Sequence, residues 1–248
     1  MIVKLNMLSR KNNRLCIVGS APNKSEAPYD DLSFDIWAIS GAAFSGSLGQ
    51  DRIPETDDNK WHSVHRVDAY FEMHKRNLFL DKLEALKVCG LPVIMQRVEP
   101  DIPTSEEYPV ELIANELGEE FSSTVAFMFA YAIFMGYDEI RFYGIYLLHD
   151  TEYTRQRAGF KYYLGIARGM GISVWAPDNT YLTRPAWRYG YDDIDEICGN
   201  MELRKKSLED QMNKQKQVVE DARQVFFQFR GAAQDCADNI DEIKRGLP

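Results

Sequence analysis

Two ionisable residues close one of the short apolar segments of the chain, in the run Phe71-Glu72-Met73-His74. Side chains alternate along a strand, so Glu72 and His74 would share one face while Phe71 and Met73 share the other. A histidine at that place can act as a general base, and a neighbouring carboxylate can orient it. The alternative is a half-buried histidine that caps a neighbouring helix.

Two segments rich in small or hydroxyl side chains suit phosphate. A turn after the first apolar segment consists of Gly19, Ser20, Ala21, Pro22 and Asn23. Glycine lets the backbone approach a phosphate there, and the start of a helix offers unpaired N–H groups. The most apolar helical segment begins with Ser122, Ser123 and Thr124. One hydroxyl is enough to cap a helix, so the others are candidates for ligand contact. A tight strand exit and a simple cap remain the alternatives.

A third group of candidates follows a later apolar segment. Gly144 and Tyr146 come directly after it, and Tyr153 and Arg157 lie on the helical stretch that comes next. Arginine and tyrosine side chains can hold a phosphate or a sugar. The alternative is a solvated helix start in which Glu152 pairs with Arg157.

Strands and helices must alternate to position these residues. Apolar, β-branched or aromatic segments predict six buried strands, at residues 15–19, 35–40, 69–74, 92–95, 139–144 and 172–175. Helical spacing occupies residues 77–89, 122–135 and 152–170. The Pro-rich connection 96–108 is expected to be irregular. This alternation predicts an α/β domain of the Rossmann-like kind over residues 1–190, with a mostly parallel sheet covered by helices on both faces.

The last part of the chain, residues 191–248, is predicted to form one long helical tail. Apolar residues recur there at alternating spacings of three and four, at Val219, Ala222, Phe226, Phe229, Ala233, Cys236, Ile240 and Ile243. That pattern is typical of a coiled-coil seam. It predicts a homo-oligomer formed through the tail or a docking surface for a partner. A single amphipathic helix packed on its own domain is the alternative.

Composition narrows the classes of protein. The charge of −9, from 29 basic and 38 acidic residues, disfavours broad attraction to nucleic acid without excluding a local basic patch. No segment is long and apolar enough to span a bilayer, and no signal peptide is visible at the start. Four separated cysteines without a CxxC motif suit a reducing cytoplasm. Motifs of P-loop ATPases, zinc proteases and α/β-hydrolases are missing, so no metal and no bound cofactor are expected.

Taken together, several segments resemble a group of tailed-phage proteins in which a Rossmann-like domain precedes a helical tail. The matching segments are LCIVGSAPN, VDAYFEMH, YPVELIANELGEEFSSTVAFMFAYAIFMGYDEIRFYGIYL, EYTRQRAGFKYYLGIARGMGISVWAP and FRGAAQDC. The resemblance implies a phage-encoded protein in the host cytoplasm.

More distantly, the order of these segments is similar to bacterial sialyltransferases that use CMP-sialic acid and to archaeal-type 6-hydroxymethylpterin diphosphokinases. That similarity implies a nucleotide at the carboxyl edge of the sheet. Ser40 and Gly41 stand where the sialyltransferases have an asparagine, and Tyr146 stands where they have an aspartate. These replacements argue against sialic acid as the sugar. Neither His74 nor His149 takes over the family's catalytic histidine, which lies in a lid.

The resulting hypothesis is a metal-independent glycosyltransferase-like enzyme that binds a nucleotide or a nucleotide-sugar. His74 would deprotonate the acceptor, and residues 41–64 would close as a lid. The competing hypothesis is a catalytically inactive phage binding or assembly factor that keeps the fold and uses the tail for protein interactions.

Overall fold

A seven-stranded sheet forms the centre of the first part of the molecule. The computed structural model describes residues 8–44, 64–147, 151–180, 182–183, 188, 190–191 and 194–246. The strands are β1 (Arg14–Val18), β2 (Phe34–Ile39), β3 (Ala69–Glu72), β4 (Val93–Met95), β5 (Ser105–Glu107), β6 (Glu139–Tyr143) and β7 (Ser173–Trp175). Their order is β5-β4-β3-β2-β1-β6-β7, and each neighbouring pair is parallel. The α/β Rossmann-like fold predicted from the sequence is confirmed.

Both faces of the sheet are covered, and β1 shows how the sequence achieves this. Leu15 and Ile17 point into one core, whereas Cys16 and Val18 point into the other. Strands buried on both faces are apolar at every position, which is why β1 reads as a continuous apolar run. The helices α3 (Val110–Leu117), α4 (Thr124–Phe134) and α5 (Thr151–Gly169) supply residues to the first core, and α1 (Ser40–Phe44) and α2 (Leu83–Val88) supply the second.

Three elements differ from the sequence-based expectation. The Pro-rich connection contains β5, a short polar edge strand that pairs with β4 alone, and edge strands need no apolar pattern. Helix α3 follows it. The helix expected over residues 77–89 is reduced to a 3-10 turn at Arg76–Leu78 and to α2. The backbone leaves the helical region at Phe79 (φ −132°, ψ 23°), whose side chain is buried in the second core.

The strand order defines one place where consecutive connections diverge. From β1 the chain runs outward through β2, β3, β4 and β5, and then returns to add β6 on the other side of β1. The carboxyl ends of β1 and β6 therefore flank the topological switch point, where open α/β sheets commonly bind ligands. Two further 3-10 turns, Pro22–Glu26 and Asp178–Thr180, follow β1 and β7.

The chain divides into two compact units, Met1–Pro185 and Ala186–Pro248. The second unit contains α6 (Ile194–Gly246), a helix of 53 residues. The long C-terminal helix predicted from the sequence is thus present. Within the described residues, no helix combines the length and the hydropathy needed to cross a membrane.

Candidate functional site

A buried carboxylate and an exposed imidazole meet at the carboxyl end of β3. Glu72 Oε1 lies 2.5 Å from His74 Nδ1 and accepts a 3.1 Å hydrogen bond from the His74 backbone N–H. The Glu72 side chain is 1% exposed, whereas that of His74 is 55% exposed. Because the carboxylate engages Nδ1, proton exchange with a ligand would use Nε2. The structure therefore brings together the two residues proposed from the sequence as catalytic.

The second oxygen of Glu72 is held as firmly as the first. Oε2 accepts a hydrogen bond from the Ser40 hydroxyl at the end of β2 and lies 3.3 Å from Lys82 Nζ. Burial alone would raise the pKa of Glu72, but the hydrogen bonds from His74 and Ser40 and the charge of Lys82 lower it to about 2. Glu72 is therefore an anion at neutral pH, fixed against the imidazole ring.

The imidazole borders a cleft at the ends of β3 and β4. The cleft has a volume of about 270 Å³ and is lined by His74, Lys75, Arg76, Met95, Gln96, Arg97 and Glu99. Gln96 donates a 2.6 Å hydrogen bond from Nε2 to the Met73 carbonyl and so ties the two strand ends together. A histidine beside a concave surface of polar side chains is an arrangement suited to proton transfer with a bound substrate.

The cations around the cleft differ in what they bind. Arg76 contacts Glu99 at 2.6 Å and forms two bonds with Asp101, at 2.7 and 2.6 Å. Its charge is thus balanced inside the protein. No side chain of the described residues pairs with Lys75 or Arg97, both of which are exposed. Within the part of the chain that the structure describes, the cleft therefore presents two unbalanced positive charges next to His74, which suits a phosphate or another anion.

The glycine turn at the switch point has a different architecture. The N–H of Gly19 donates to the Tyr143 carbonyl and that of Ala21 to the Gly144 carbonyl, both at 2.8 Å. A Cβ on Gly19 would lie 2.3 Å from the Gly144 carbonyl oxygen, so the two turns touch through their backbones. Gly144 has a φ of +67°. The glycines are needed for this close approach, and two of the amides proposed to cradle phosphate are used internally.

Behind this turn lie two buried polar residues. Asn23, which is 6% exposed, accepts a 2.9 Å hydrogen bond from the Gly144 N–H through Oδ1, while its Nδ2 lacks a partner among the described residues. Lys24 is 5% exposed, and its Nζ donates a 2.6 Å hydrogen bond to the Ala42 carbonyl. Burial lowers the pKa of Lys24. These contacts connect the ends of β6, β1 and β2, so Asn23 acts here as a bridge within the fold.

The start of α4 satisfies its hydroxyl groups locally. Ser123 is the N-cap, and its Oγ accepts from the Ala126 N–H at 3.1 Å. Ser122 donates from its hydroxyl to the Gln156 carbonyl of α5 at 3.2 Å, and a Cβ on Gly159 would lie 2.2 Å from Ser122 Oγ. Thr124 is the first residue of the helix. The structure thus uses two of the three hydroxyls in capping and in packing against α5.

The remaining candidates lie at the same edge or outside the described residues. Ser20 is exposed, and Gly41 and Tyr146 are half-buried in the segments after β2 and β6. Pro22 begins the 3-10 turn after β1. Arg157 is half-buried on α5, and Tyr153 is on the same helix with its side chain outside the described set. Most of the expected lid, residues 45–63, also lies outside the described residues, as does His149.

Metal-ligating side chains do not cluster in the part of the chain that the structure describes. No group of three or more His, Cys, Asp or Glu residues is placed there to hold an ion. Positive charge in the cleft is supplied by Lys75 and Arg97.

Three cations near Glu72 and the cleft were not predicted from the sequence, namely Lys75, Lys82 and Arg97. The first of them had a signal, because the run His74-Lys75-Arg76 sets two cations directly behind the proposed base. Lys82 and Arg97 had none. Lys82 belongs to the expected helix that the fold interrupts, and Arg97 belongs to the connection after β4, so only the packing of α2 and β4 beside β3 brings them to Glu72 and the cleft.

Comparisons with known proteins give a structural similarity alone. Neither the family models nor the curated protein sequences contain a match to the chain. Among solved structures, the chain is similar to the sialyltransferase CstII from Campylobacter jejuni in complex with the substrate analogue CMP-3FNeuAc, at 15% identity and a TM-score of 0.44, over 73% of this chain and 88% of that one. It is also similar to an apo alpha-2,3-sialyltransferase from Campylobacter jejuni, at 14% identity and a TM-score of 0.45, over 81% and 98% of the two chains. At such identities and TM-scores, the similarity assigns no activity to this chain.

Proposed function

We propose that residues 1–190 form a glycosyltransferase-like domain that binds a nucleotide or a nucleotide-sugar at the carboxyl edge of its sheet. The observation that supports this most directly is the anionic Glu72 against the exposed His74, at the rim of a cleft with two unbalanced cations. A fixed base beside an anion site provides the two functions that glycosyl transfer from a sugar phosphate requires.

In the proposed reaction, His74 removes the proton from an acceptor hydroxyl through Nε2. The acceptor oxygen forms a bond to the anomeric carbon of the donor as the bond from that carbon to the phosphate oxygen breaks. The departing phosphate carries away the electron pair of that bond, and Lys75 and Arg97 stabilise its charge. The imidazolium formed at His74 is stabilised by Glu72, which stays ionised because of its low pKa.

The rest of the donor would extend from the cleft along the strand ends. The side of this path nearest β1 and β6 would be formed by Ser20, Gly41 and Tyr146. The candidates for binding the phosphate remain Arg157 and Tyr153. A phosphate on the Gly19 turn, as predicted from the sequence, would have to use groups other than the N–H groups of Gly19 and Ala21, which already donate to β6 and its turn.

The first test is calorimetric titration of the full chain with a panel of nucleotides and nucleotide-sugars. At least one is expected to bind below millimolar concentration. If none binds, the proposed donor site is wrong.

Once a donor that the protein turns over has been identified, His74→Ala tests whether His74 is the general base. Removing a general base lowers the rate by about 10²- to 10⁴-fold while leaving nucleotide affinity nearly unchanged. His65→Ala is the matched control, because His65 lies outside the cleft-lining set and its ring packs edge-on against Tyr29, at 5.5 Å. Turnover unaffected by His74→Ala would remove this residue from the mechanism.

The second candidate function is a phage-encoded binding or assembly factor without catalysis. The observation that favours it is the apolar stripe of α6, whose Phe226 and Phe229 are 60% and 72% exposed. A homo-oligomer through this helix is part of both candidates. Size-exclusion chromatography with light scattering measures the mass of the full chain in solution. If the protein self-associates but binds no nucleotide, the second candidate function is favoured.

A further inference from the structure

The apolar stripe of α6 continues through nearly the whole helix. Spacings of three and four residues lead from Cys198 to Ile243, and we call the residues at these positions the seam. Lys205 and Gln215 are the two polar residues of the seam. Its larger described apolar members, Met201, Met212, Phe226, Phe229, Ile240 and Ile243, are between 46% and 72% exposed. At 1.5 Å per residue the helix is about 80 Å long. A stripe of this length and exposure is typical of an interaction surface.

Charges beside the seam are sorted along the helix. One flanking position recurs every seven residues, directly after the second apolar position of each repeat. It holds Glu202 and Glu209 near the amino-terminal end, Lys216 just before the middle of the helix, and Arg223, Arg230 and Lys244 in the carboxyl-terminal half, where the same position at Ala237 is uncharged. All six side chains are exposed. One edge of the seam is therefore acidic at one end and basic at the other.

We propose that α6 pairs with α6 of a second copy of this chain in antiparallel orientation. In an antiparallel pair, equivalent flanking positions of the two helices face each other, so the acidic half of one edge meets the basic half of the other. The register that pairs both acidic flanking positions with basic ones overlaps residues 194–240 of each helix and sets Cys198 opposite Cys236 of the partner subunit. Glu209 then lies beside Arg223 of the partner subunit, and Glu202 beside Arg230 of the partner subunit. Lys216 lies beside Lys216 of the partner subunit at the two-fold axis, so four attractions stand against one repulsion between exposed side chains.

The same register pairs seam residues by size. Met201 meets Ala233 of the partner subunit, and Met212 meets Ala222 of the partner subunit, so a long side chain faces a small one at each of these levels. Lys205, which is a seam residue, meets Phe229 of the partner subunit, where its stem can pack and its ammonium can lie over the ring.

A parallel pair in register loses these advantages. Lys205 would face Lys205 of the partner subunit inside the seam, which places like charges together. The flanking bases Arg223 and Arg230 would face Val218 and Val225 of the partner subunit, which carry no charge. Glu209 alone would face an opposite charge, on Arg204 of the partner subunit. Charge and seam composition therefore both favour the antiparallel arrangement.

Two native cysteines on the seam make the orientation measurable. Cys198 and Cys236 are exposed, whereas Cys16 is buried. The full chain carrying Cys89→Ser is treated with a short thiol-to-thiol crosslinker, and the linked peptides are identified by mass spectrometry. The antiparallel register predicts a covalent dimer linked from Cys198 to Cys236, which either Cys198→Ser or Cys236→Ser abolishes.

Every other result overturns the proposal. Links from Cys198 to Cys198 that persist in the Cys236→Ser variant would mean a parallel pair. A chain that sediments as a monomer at tens of micromolar, or a dimer without crosslinks, would contradict the pairing or its register.

Charge reversal tests the flanking contacts independently of the cysteines. Glu209→Lys is expected to weaken the dimer about tenfold, because two symmetry-related attractions become repulsions. Adding Arg223→Glu to the same chain is expected to restore the affinity. The intrahelical pairs at 3.7 Å (Lys205 with Glu209) and 3.8 Å (Arg223 with Glu220) cannot produce such a rescue, since their partners are unchanged.

The matched control is Asp235→Lys, which makes the same change of charge at an exposed position on the outer side of the helix. Its dissociation constant should stay within about twofold of the original. An equal loss in this control, or no rescue by Arg223→Glu, would contradict the antiparallel contact between Glu209 and Arg223 of the partner subunit.

Discussion

Two places along one edge of the sheet differ in how they use their residues. At the switch point, Gly19 and Gly144 bring the turns after β1 and β6 into backbone contact, and the amides of the turn donate to the protein itself. Two strands away, at the end of β3, side chains converge on Glu72 and leave an open, positively charged cleft beside His74. Topology alone would favour the first place, whereas the polar groups available to a ligand are concentrated at the second.

The difference between the two strand ends shows that a glycine after a strand can serve either ligand binding or packing within the protein. Missing Cβ atoms permit a phosphate to approach, and they equally permit a neighbouring turn to do so. Here the neighbouring turn occupies the space, because the Gly144 carbonyl would lie 2.3 Å from a Cβ on Gly19. Among the described residues, the polar side chains that line a cleft lie instead at the end of β3, which is where we propose the ligand site.

The largest effect is expected for Gly144→Ala, which tests the backbone contact between the turns after β1 and β6. Its φ of +67° costs about 1 kcal/mol for a side chain, and overlap with the Gly19 carbonyl, 2.4 Å from the new Cβ, raises the loss in unfolding free energy to about 4 kcal/mol. Chemical denaturation measures it. Gly90→Ala is the control, since it shares a positive φ of +69° but has open space, and should lose about 1 kcal/mol. Equal losses would mean that the turns do not touch.

The interactions of Glu72 at the end of β3 are tested by measuring the free energy of unfolding as a function of pH. The pKa of Glu72 is lowered from 4.5 to about 2, so its ionised form stabilises the folded state above pH 4.5. This stabilisation, about 3 kcal/mol, is lost as the pH falls from 4.5 to 2. Glu72→Gln should remove that part of the pH dependence. The difference between the two unfolding curves, measured from pH 6 downward, isolates Glu72 from the other carboxylates; a constant difference would refute the assignment.

The unbalanced cations are tested by anion affinity. Lys75→Ala and Arg97→Ala should each weaken nucleotide binding about tenfold, and less so at high salt, because each removes a charged contact to phosphate. Lys11→Ala is the control, since Lys11 pairs with Asp68 at the opposite edge of the sheet. Titration calorimetry at two salt concentrations reports the affinities, and equal effects of all three variants would point to general charge rather than to the cleft.

The smallest expected effect concerns α4. Ser123→Ala removes the N-cap bond to the Ala126 N–H and should lower the unfolding free energy by about 1 kcal/mol without changing nucleotide affinity. Thermal denaturation and titration of the same sample measure both quantities. A loss of affinity larger than the loss of stability would return Ser123 to the ligand site.

Much of the fold could be predicted because the apolar composition of the buried strands indicates a sheet that is covered on both faces. β1 is apolar on both faces from Leu15 to Val18, as expected of a strand in a sheet that helices cover on both sides. β6 is apolar on the face of Ile140 and Phe142 and carries Glu139 and Arg141 on the other. β5 could not be predicted in this way, since Ser105–Glu107 is polar and gains its strand conformation from pairing with β4. The helix expected over residues 77–89 is interrupted because burying Phe79 outweighs local helical spacing.

The pairing of Glu72 with His74 was predictable for a local reason. Two residues of one strand end share a face by alternation, so their proximity needs no tertiary information. The surroundings of that pair needed the fold. Ser40 reaches Glu72 from the start of α1 and Lys82 from the segment before α2, and neither carries a local signal of this role.

By itself, the sequence determined the α/β class, the long carboxyl-terminal helix and the juxtaposition of Glu72 with His74, because each depends on residues that are close along the chain. Only the tertiary structure decided that the Gly19 turn is closed by the Gly144 turn and that Lys75 and Arg97 line the cleft beside His74. Those features depend on which strands and loops become neighbours, and neighbours in space are set by the packing of the whole sheet rather than by any local pattern.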